Sequence, residues 1–442
     1  MKKILIIIVI CVASIITSLG FCVGTEKMDN FISVDDSPVF SAERGNYVVL
    51  NNSITFKEQI QGMSNTVFEV RNCFDLGKST VEIPSGCILL FRGGALKNGV
   101  VIFNNTLIDS PNYQIFGDNC DLRGVLSNSI FYADWFNDLQ DAVEVASVKG
   151  GIIQLSTRVY ELNKTLVLKK GITLQGSGNE AAYLENKGTT ITYKGKGPVV
   201  ALSGTLSKPV KNVTLRNLRI RGNGKNYEPG TNVGLYIGPR AYYCKFEDVS
   251  LYACSNGVEI DNGWNLNFES VNPYYCKNGY FLNGKSGAPL TTTVFSSCVA
   301  YNSTVGFNFS SDMNSTTLMS CGTDGCETSM ELAGCFGVSV VSYQFERYSK
   351  YGIHIDNSDC FVTFVGLAPR ALGASDATLI KIDRVGRVTF TNMYLSNSVV
   401  PKEGLTIDVS SNSTAKVLFD NCVLKGKGKN LDKCVFINDI EK

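Results

Sequence analysis

The chain has 442 residues, of which 44% are hydrophobic and 10% aromatic, so it is long enough to bury a large core. Its charge is nearly balanced, with 41 Lys and Arg residues against 40 Asp and Glu residues. This balance argues against nucleic acid or an anionic membrane surface as the partner.

Residues 1–24 are predicted to be a secretory signal peptide. Lys2 and Lys3 precede an apolar run from Ile4 to Ile16, and Ser18-Leu19-Gly20 offers a small-x-small cleavage site. Cys22 would allow lipoprotein anchoring, but a large phenylalanine stands before it. We therefore expect export to a secreted, periplasmic or outer-surface location. No later stretch is apolar and long enough to span a bilayer.

Residues 25–132 are predicted to form a polar leader and then a β-rich, solenoid-like extension. Short apolar runs such as Tyr47–Leu50 and Cys87–Phe91 are separated by turns such as Pro84–Gly86. Residues 138–148 instead carry apolar side chains at helical spacing, with Asn137 or Asp138 as the N-cap. A short helix therefore follows the extension.

From residue 212 to residue 421 the chain repeats one motif, exemplified by Lys245–Val249. Aligned on Phe246, successive copies follow at steps of 22 to 29 residues, which is the period of a solenoid. Runs such as Val213–Leu215 and Leu218–Ile220 alternate at strand spacing. Three short strands per period predict an all-β chain, a parallel β-helix whose rungs stack about 4.8 Å apart over residues 133–425. The Lys-rich residues 426–442 are expected to be a solvated tail.

One residue per rung is predicted to face inward from the first strand and to stack in a column: Ile260, Leu282, Phe309, Leu332, Ile355 and Ile382. Five of the fifteen cysteines occupy similar inward positions: Cys254, Cys276, Cys298, Cys321 and Cys326. We expect these thiols to be small apolar core groups. A zinc site would need closely spaced ligands with His, and the chain has a single His.

Asn or Asp at the turn between the second and third strands, and Asn-Gly before the first strand, resemble the right-handed parallel β-helix of the pectate lyase superfamily. The resemblance covers most of the chain after residue 130 and implies that the short helix covers the open end of the coil. It implies little about activity, because this fold hosts lyases, hydrolases, tailspikes and adhesins. The polygalacturonase motifs are missing, and Arg219–Arg221 and Ile353–Ile355 are only fragments of them.

Outward residues at the same position of successive rungs become neighbours, so catalytic groups are sought by column. The last rungs of the first-strand column gather five candidate catalytic residues: Glu331, His354, Lys381, Asp356 and Asp383. Carboxylates one rung apart would be about 5 Å apart, as in retaining glycosidases, and their repulsion would make one of them a proton donor. The same side chains could equally form a solvated ladder of complementary charges.

The third-strand column supplies candidate substrate-binding residues: Tyr252, Tyr274, Tyr301, Asp324, Glu346 and Arg370. Three tyrosines in successive rungs could present a platform for sugar rings. Alternatively, these rings stack on one another and stiffen the flank of the coil. Trp264, in a predicted loop just after Ile260, is a further candidate sugar platform.

These features predict an exported carbohydrate-active protein that binds a polysaccharide or other glycan. It would be a lyase or a glycoside hydrolase for an acidic or complex polysaccharide. The alternative is a non-catalytic, glycan-binding or adhesin-type surface protein. The resemblance implies calcium only for a lyase, and Asp356, Asp383 and Lys381 are then the nearest analogue of the family's site. The sequence assigns no other metal, no cofactor and no oligomeric state.

Overall fold

The computed structural model describes residues 46–179, 188–225, 227–284, 290–311, 313–395, 399–411, 413, 416–438 and 440–441. The predicted signal peptide lies outside these residues. Residues 45–442 form one compact unit. No helix within the described ranges is long and apolar enough to cross a membrane.

The chain begins with a small parallel solenoid. Helix α1 spans Phe56–Ile60 and begins with a capping box between Thr55 and Glu58. The first eight strands are β1 Tyr47–Val49, β2 Val67–Val70, β3 Cys73–Asp75, β4 Thr80–Glu82, β5 Ile88–Phe91, β6 Ala95–Lys97, β7 Gly99–Asp109 and β8 Cys120–Leu126. All their pairings are parallel, for example β1 with β2 and β2 with β5, as the sequence predicts for a β-rich extension.

Helix α2 spans Leu139–Ser147, and the carboxylate of Asp138 caps it by accepting a hydrogen bond from the Gln140 amide at 2.8 Å. The predicted apolar face is buried. The helix packs against β8 on one side and β10 on the other. Because the core is continuous from the extension into the main coil, α2 covers a junction between them and not an open end. The core likewise shows no break at the predicted boundary after residue 132.

The main coil contains the remaining strands of the described chain. Its first half comprises β9 Ile130–Tyr132, β10 Gly151–Gln154, β11 Val159–Leu162, β12 Leu166–Val167, β13 Ile172–Gln175, β14 Thr190–Tyr193, β15 Val200–Leu202, β16 Val210–Lys211, β17 Thr214–Arg221, β18 Leu235–Ile237, β19 Ala241–Tyr242, β20 Lys245–Tyr252, β21 Asn256–Ile260, β22 Gly263–Tyr274, β23 Asn278–Asn283 and β24 Leu290–Ser296. A 3-10 turn, Ala133–Trp135, precedes α2.

The second half comprises β25 Val299–Tyr301, β26 Val305–Ser311, β27 Met313–Met319, β28 Gly322–Asp324, β29 Thr328–Leu332, β30 Cys335–Val341, β31 Gln344–Tyr348, β32 Tyr351–Val365, β33 Ala368–Leu372, β34 Thr378–Thr391, β35 Ile407–Val409, β36 Lys416–Asp420, β37 Val423–Leu424, β38 Gly428–Lys429, β39 Cys434–Ile437 and β40 Ile440–Glu441. A 3-10 turn, Leu431–Lys433, separates β38 from β39.

Each strand pairs in parallel with the strand one rung later, which produces three sheets. The first sheet contains β21, β23, β26 and β29, the second contains β24, β27 and β30, and the third contains β25, β28 and β31. Long strands such as β22 and β32 pass through two sheets. The predicted all-β fold is confirmed: it is a parallel solenoid of about 15 turns, consistent with a right-handed, pectate lyase-like β-helix.

A left-handed residue bends the chain between the second and third sheets. Short side chains or glycine occupy this position in successive rungs: Asp248, Ser270, Ser297, Ser320, Ser342, Gly366, Asn392 and Asn421. Positive φ is disfavoured by bulky side chains, which explains this choice of residues. The turn leaves the flanking apolar residues pointing inward on both sheets.

The six residues of the predicted inward column are completely buried, as predicted. Around them, phenylalanine rings stack through the rungs, as Phe268 does on Phe295 with ring centres 4.6 Å apart. The five cysteines predicted to lie in the core are also buried there. The described cysteines are unbridged thiols.

The residues after 425 are largely exposed, as predicted for a solvated tail, but they also form strands. Strands β38, β39 and β40 pair with β35, β36 and β37, so these residues add a further rung. Phe436 stacks on Phe419 with ring centres 5.3 Å apart. The lysine-rich composition concealed the alternating run Cys434–Ile437, which has the same pattern as earlier strands.

Candidate functional site

The first sheet has one outward position between two inward apolar residues in each rung. Strand pairing brings the residues at this position together: Asn308 lies opposite Glu331, Glu331 opposite His354, His354 opposite Lys381, and Lys381 opposite Asp408. The neighbours of each, such as Ile353 and Ile355 beside His354, are buried. The repeat therefore fixes which side chains point outward.

Five side chains on this sheet form a continuous series of contacts, here called the charge row: Glu331, His354, Asp383, Lys381 and Asp408. The imidazole lies between two carboxylates, with Nδ1 3.4 Å from Glu331 Oε1 and Nε2 3.0 Å from Asp383 Oδ2. The ammonium lies 3.0 Å from Asp383 Oδ1 and 2.8 Å from Asp408 Oδ2. Acids and cations alternate along the row. The His354 side chain is only 14% exposed.

The charges of the row keep its cations protonated. Partial burial lowers the pKa of His354, but hydrogen bonds and charge from Glu331 and Asp383 raise it by more, so it lies above the ordinary 6.5. Burial likewise lowers the pKa of Lys381, and its contacts with Asp408 and Asp383 raise it above 10.5. At mildly acidic pH, both cations are therefore charged.

The pKa of Asp383 is shifted in the opposite direction. Partial burial raises its pKa, but the hydrogen bonds from His354 and Lys381 lower it by more, so it lies below the ordinary 3.8. The row thus presents an ionised carboxylate against two protonated donors. The predicted repulsion between neighbouring carboxylates is absent here, because cations separate them.

Asp356 does not join the charge row. A register shift after Ile355 places Asp356 opposite Arg384, and its carboxylate accepts a hydrogen bond from Arg384 Nε at 2.9 Å. The predicted placement of Asp356 and Asp383 as neighbours in one column is therefore wrong. An irregularity of this kind adds a residue to one strand, so counting by alternation fails beyond it.

Asp408 is the member of the row that the sequence analysis missed. Its strand, Ile407–Val409, continues the pattern of Ile380–Ile382, and following the repeat for one more rung would have found it. Tyr351 was also missed. Its ring centre lies 4.8 Å from that of His354, and it stands three residues before that histidine. These additions give the site a second anchor for Lys381 and an aromatic wall.

Calcium does not fit these residues. Each predicted acidic ligand already contacts a cationic side chain, Asp356 through Arg384 and Asp383 through His354 and Lys381. Among the described residues, no group of three or more His, Cys, Asp or Glu side chains is placed to hold a metal ion. The donor set therefore offers no counterpart of an acidic calcium site.

The tyrosines of the third sheet occupy the predicted column. Tyr252 pairs with Tyr274, and Tyr274 pairs with Tyr301. The rings of Tyr274 and Tyr301 are parallel within 6°, with centres 4.7 Å apart, and only 6% of Tyr274 is exposed. A sugar ring cannot enter between faces at that distance. The geometry favours the alternative, in which the stacked rings seal the flank.

The same column continues through Asp324 and Glu346, which pair with one another after Tyr301. These three residues line a surface groove of about 330 Å³. Arg347 binds Asp324 through two nitrogens, each 2.6 Å from a carboxylate oxygen. Arg370 is not in this column, because a register shift places Ala371 opposite Glu346.

Trp264 lies in a strand of the second sheet, whereas the sequence predicted a loop at this position. It is the second residue of β22 and stacks face to face on Tyr242, with ring centres 3.7 Å apart. Its side chain remains 37% exposed. Trp264 therefore belongs to a different face from the charge row.

The chain matches no protein-family model and no curated protein. Among solved structures, it is similar to a tailspike of Acinetobacter phage vb_AbaP_AS12, with 13% identity, a TM-score of 0.48, and coverage of 71% of this chain and 63% of that chain. It is also similar to Geobacillus virus E2 ORF18, with 15% identity, a TM-score of 0.41, and 70% and 60% coverage.

A third similar structure is the alginate lyase from Paenibacillus sp. str. FPU-7, with 14% identity and a TM-score of 0.37. The aligned region covers 64% of this chain and 98% of the alginate lyase chain. The chain spans less than two thirds of the length of the two viral proteins. At these identities, the similarity says nothing about activity.

Proposed function

We propose that the protein is an exported, carbohydrate-active enzyme that hydrolyses a polysaccharide at the charge row. The observation that carries this proposal is the imidazole of His354 held between the carboxylates of Glu331 and Asp383, at 3.4 Å and 3.0 Å. These contacts raise its pKa and so favour its protonated form. A proton source and two carboxylates are the parts that glycoside hydrolysis requires. The predicted signal peptide supports the exported location.

The spacing of the two carboxylates suits an inverting reaction. The ring of His354 lies between them, 3.4 Å from Glu331 and 3.0 Å from Asp383, so the carboxylates are farther apart than the ~5 Å pair of a retaining glycosidase. Asp383, which stays ionised, is the base that activates a water molecule. The proton on His354 Nδ1 faces Glu331 Oε1 at 3.4 Å and passes through Glu331 to the glycosidic oxygen as the bond from that oxygen to the anomeric carbon breaks. The water forms the new bond to the anomeric carbon and gives its proton to Asp383, which can return it to His354 Nε2 at 3.0 Å.

The charges favour hydrolysis over the elimination reaction of a lyase. A lyase needs an unprotonated base strong enough to remove the proton next to a sugar carboxylate, and a carboxylate of lowered pKa such as Asp383 is too weak a base for that step. The two basic side chains of the row, His354 and Lys381, both have raised pKa values and hold their protons. Neither is prepared to accept a proton at mildly acidic pH.

One observation favours a second candidate function, non-catalytic glycan binding. Each carboxylate of the row contacts a cation of the row: Glu331, Asp383 and Asp408. Such paired charges also occur on protein surfaces that bind a glycan or stabilise the fold without catalysing a reaction. Such a protein would bind a glycan at this face without cleaving it.

A panel of neutral and uronate-containing polysaccharides, assayed for new reducing ends and for unsaturated products, tests the proposal. We expect reducing ends without unsaturated products, and inversion at the anomeric carbon by NMR. Asp383→Asn and Glu331→Gln should each reduce turnover by about 10²-fold or more, the usual contribution of an acid or base.

Asp356→Asn is the matched control, because Asp356 pairs with Arg384 outside the row. Its turnover should stay within about twofold of the unmodified chain. Unsaturated products, or full turnover in Asp383→Asn, would contradict hydrolysis at this row. Binding without any cleavage across the panel would favour the second candidate function.

A further inference from the structure

The second sheet carries a row of nine outward residues at one register, which we call the aromatic row. Strand pairing connects them rung by rung: Lys211, Tyr242, Trp264, Thr291, Asn314, Phe336, Phe361, Arg387 and Lys416. Four of the nine are aromatic, although only 10% of the chain is. Eight steps of about 4.8 Å give the row a length of roughly 38 Å.

Several of these rings are exposed to solvent. Trp264 is 37% exposed, Phe336 58% and Phe361 42%. The rings of Phe336 and Phe361 meet edge to face, with centres 5.0 Å apart, so one ring offers a face where the other offers an edge. Exposed apolar side chains that lie together mark interaction or ligand-binding surfaces, and these rings follow one line.

The charges of the aromatic row have one sign. Lys211, Arg387 and Lys416 are its three charged residues, and no acid occurs at any of its nine positions. Arg387 and Lys416 are exposed in the two rungs directly after Phe361. Lys211 lies over the Tyr242 ring at the other end, 5.9 Å from its centre. The row therefore has two aromatic pairs, separated by the uncharged Thr291 and Asn314, and cations at both ends.

We infer that the aromatic row is a second glycan-binding site, which holds a uronate-containing polysaccharide along the axis of the coil. Flat rings cover the apolar faces of sugars, while Thr291 and Asn314 supply hydrogen-bonding groups between the two aromatic pairs. The cations at the ends match the carboxylates of a polyuronate. A sugar unit is about as long as the ~4.8 Å rung spacing, so one unit can meet each rung.

This site is separate from the charge row, which lies on the first sheet. The inference therefore does not depend on the charge row being catalytic. It adds a site that would hold a long anionic chain against the coil, whether or not the protein cleaves it.

The test measures binding of the complete exported chain to alginate, a polyuronate, and to dextran, a neutral glucan. We expect alginate to bind more tightly, and binding to weaken with salt, because salt screens exposed charges. Phe361→Ala should weaken alginate binding roughly 2- to 10-fold through the loss of one stacked ring. Arg387→Glu should weaken alginate binding and leave dextran binding unchanged.

Tyr394→Ala and Lys402→Glu are matched controls, because both residues are exposed and lie outside the row. Their alginate affinity should be unchanged. Asp356→Asn, which lies outside both rows and pairs with Arg384, should also retain full alginate affinity. Equal affinity of Phe361→Ala and the unmodified chain would overturn the inference.

The molar mass in solution tests whether a second copy of this chain, and not a glycan, covers the aromatic row. If the row were an interface between copies of this chain, Phe336→Ala and Phe361→Ala would lower the oligomeric state, and that result would also overturn the inference. An unchanged molar mass together with weakened alginate binding is the expected result.

Discussion

At the scale of single residues, the unusual feature is a histidine held between two carboxylates on an otherwise regular sheet. His354 is the one histidine of the chain, so its imidazole gives a single, unambiguous NMR signal. We expect it to titrate above pH 6.5 and to shift downward in Asp383→Asn, which removes the anion 3.0 Å from Nε2. In Asp356→Asn the titration should not move, since that carboxylate contacts Arg384. An unshifted titration in Asp383→Asn would contradict the observed contacts.

The same contacts predict how stability depends on pH. The raised pKa of His354 contributes stability that is present below about pH 6.5 and is lost as pH rises through the raised value. The lowered pKa of Asp383 contributes stability that is present above about pH 3.8 and is lost as pH falls. The difference in unfolding free energy between the unmodified chain and His354→Asn should therefore be larger at pH 5.5 than at pH 8.5. Urea unfolding at the two pH values measures it, and an equal difference at both would refute it.

Alternation and the repeat were sufficient to predict that Glu331, His354 and Lys381 share one column. They could not predict that Asp383 joins this column while Asp356 leaves it. That outcome depends on a one-residue shift between two strands, and a repeat of variable length does not reveal where such a shift falls. Contacts between charged side chains also depend on rotamers, which the sequence does not specify.

At the scale of elements, the third-sheet tyrosines serve the packing of the coil. Tyr274→Ala should lower the melting temperature and cost about 1–3 kcal/mol, because it removes a nearly buried ring stacked on Tyr301. Its glycan affinity should not change. Tyr243→Ala, at a position that is 53% exposed, is the matched control and should stay within about 0.5 kcal/mol. A loss of affinity without a loss of stability in Tyr274→Ala would restore the sugar-platform interpretation.

Two glycines near the turns between the second and third sheets should differ in how much an alanine substitution destabilises the fold. Gly366 is a turn residue, and Gly322 is the first residue of a strand of the third sheet. Gly366 has φ +66°, and an added Cβ would have its nearest neighbour at 3.9 Å, so Gly366→Ala should cost only the left-handed penalty of about 1–2 kcal/mol. At Gly322, an added Cβ would lie 2.3 Å from the carbonyl oxygen of Gln344. Backbone would have to move there, and Gly322→Ala should therefore be the more destabilising change. Thermal unfolding of the two variants ranks them, and the reverse order would contradict the register of the third sheet.

At the scale of the whole molecule, one apolar column runs through consecutive rungs, and the extension, main coil and last rung share its core. The sequence predicted this column residue by residue, because burial requires the same outward–inward alternation in every copy. It did not predict where the core begins and ends, because the extension has the same strand pattern as the main coil and the Lys-rich composition after residue 425 conceals the strands of the last rung.

The continuity of that column predicts which substitutions destabilise the coil and where unfolding begins. Ile355 is completely buried in mid-stack, between Leu332 and Ile382 of the neighbouring rungs. Ile355→Asp would place an unpaired carboxylate there and should cost several kcal/mol, whereas Ile355→Val removes one methylene and should cost about 0.5–1.5 kcal/mol. Val435→Asp, at a position that is 57% exposed, should be nearly neutral. Each rung contacts only its neighbours, so the damage should centre on the rungs around Ile355 and appear there first in hydrogen exchange. Urea unfolding gives the three free energies, and an Ile355→Asp variant as stable as Val435→Asp would show that this residue does not lie in the column.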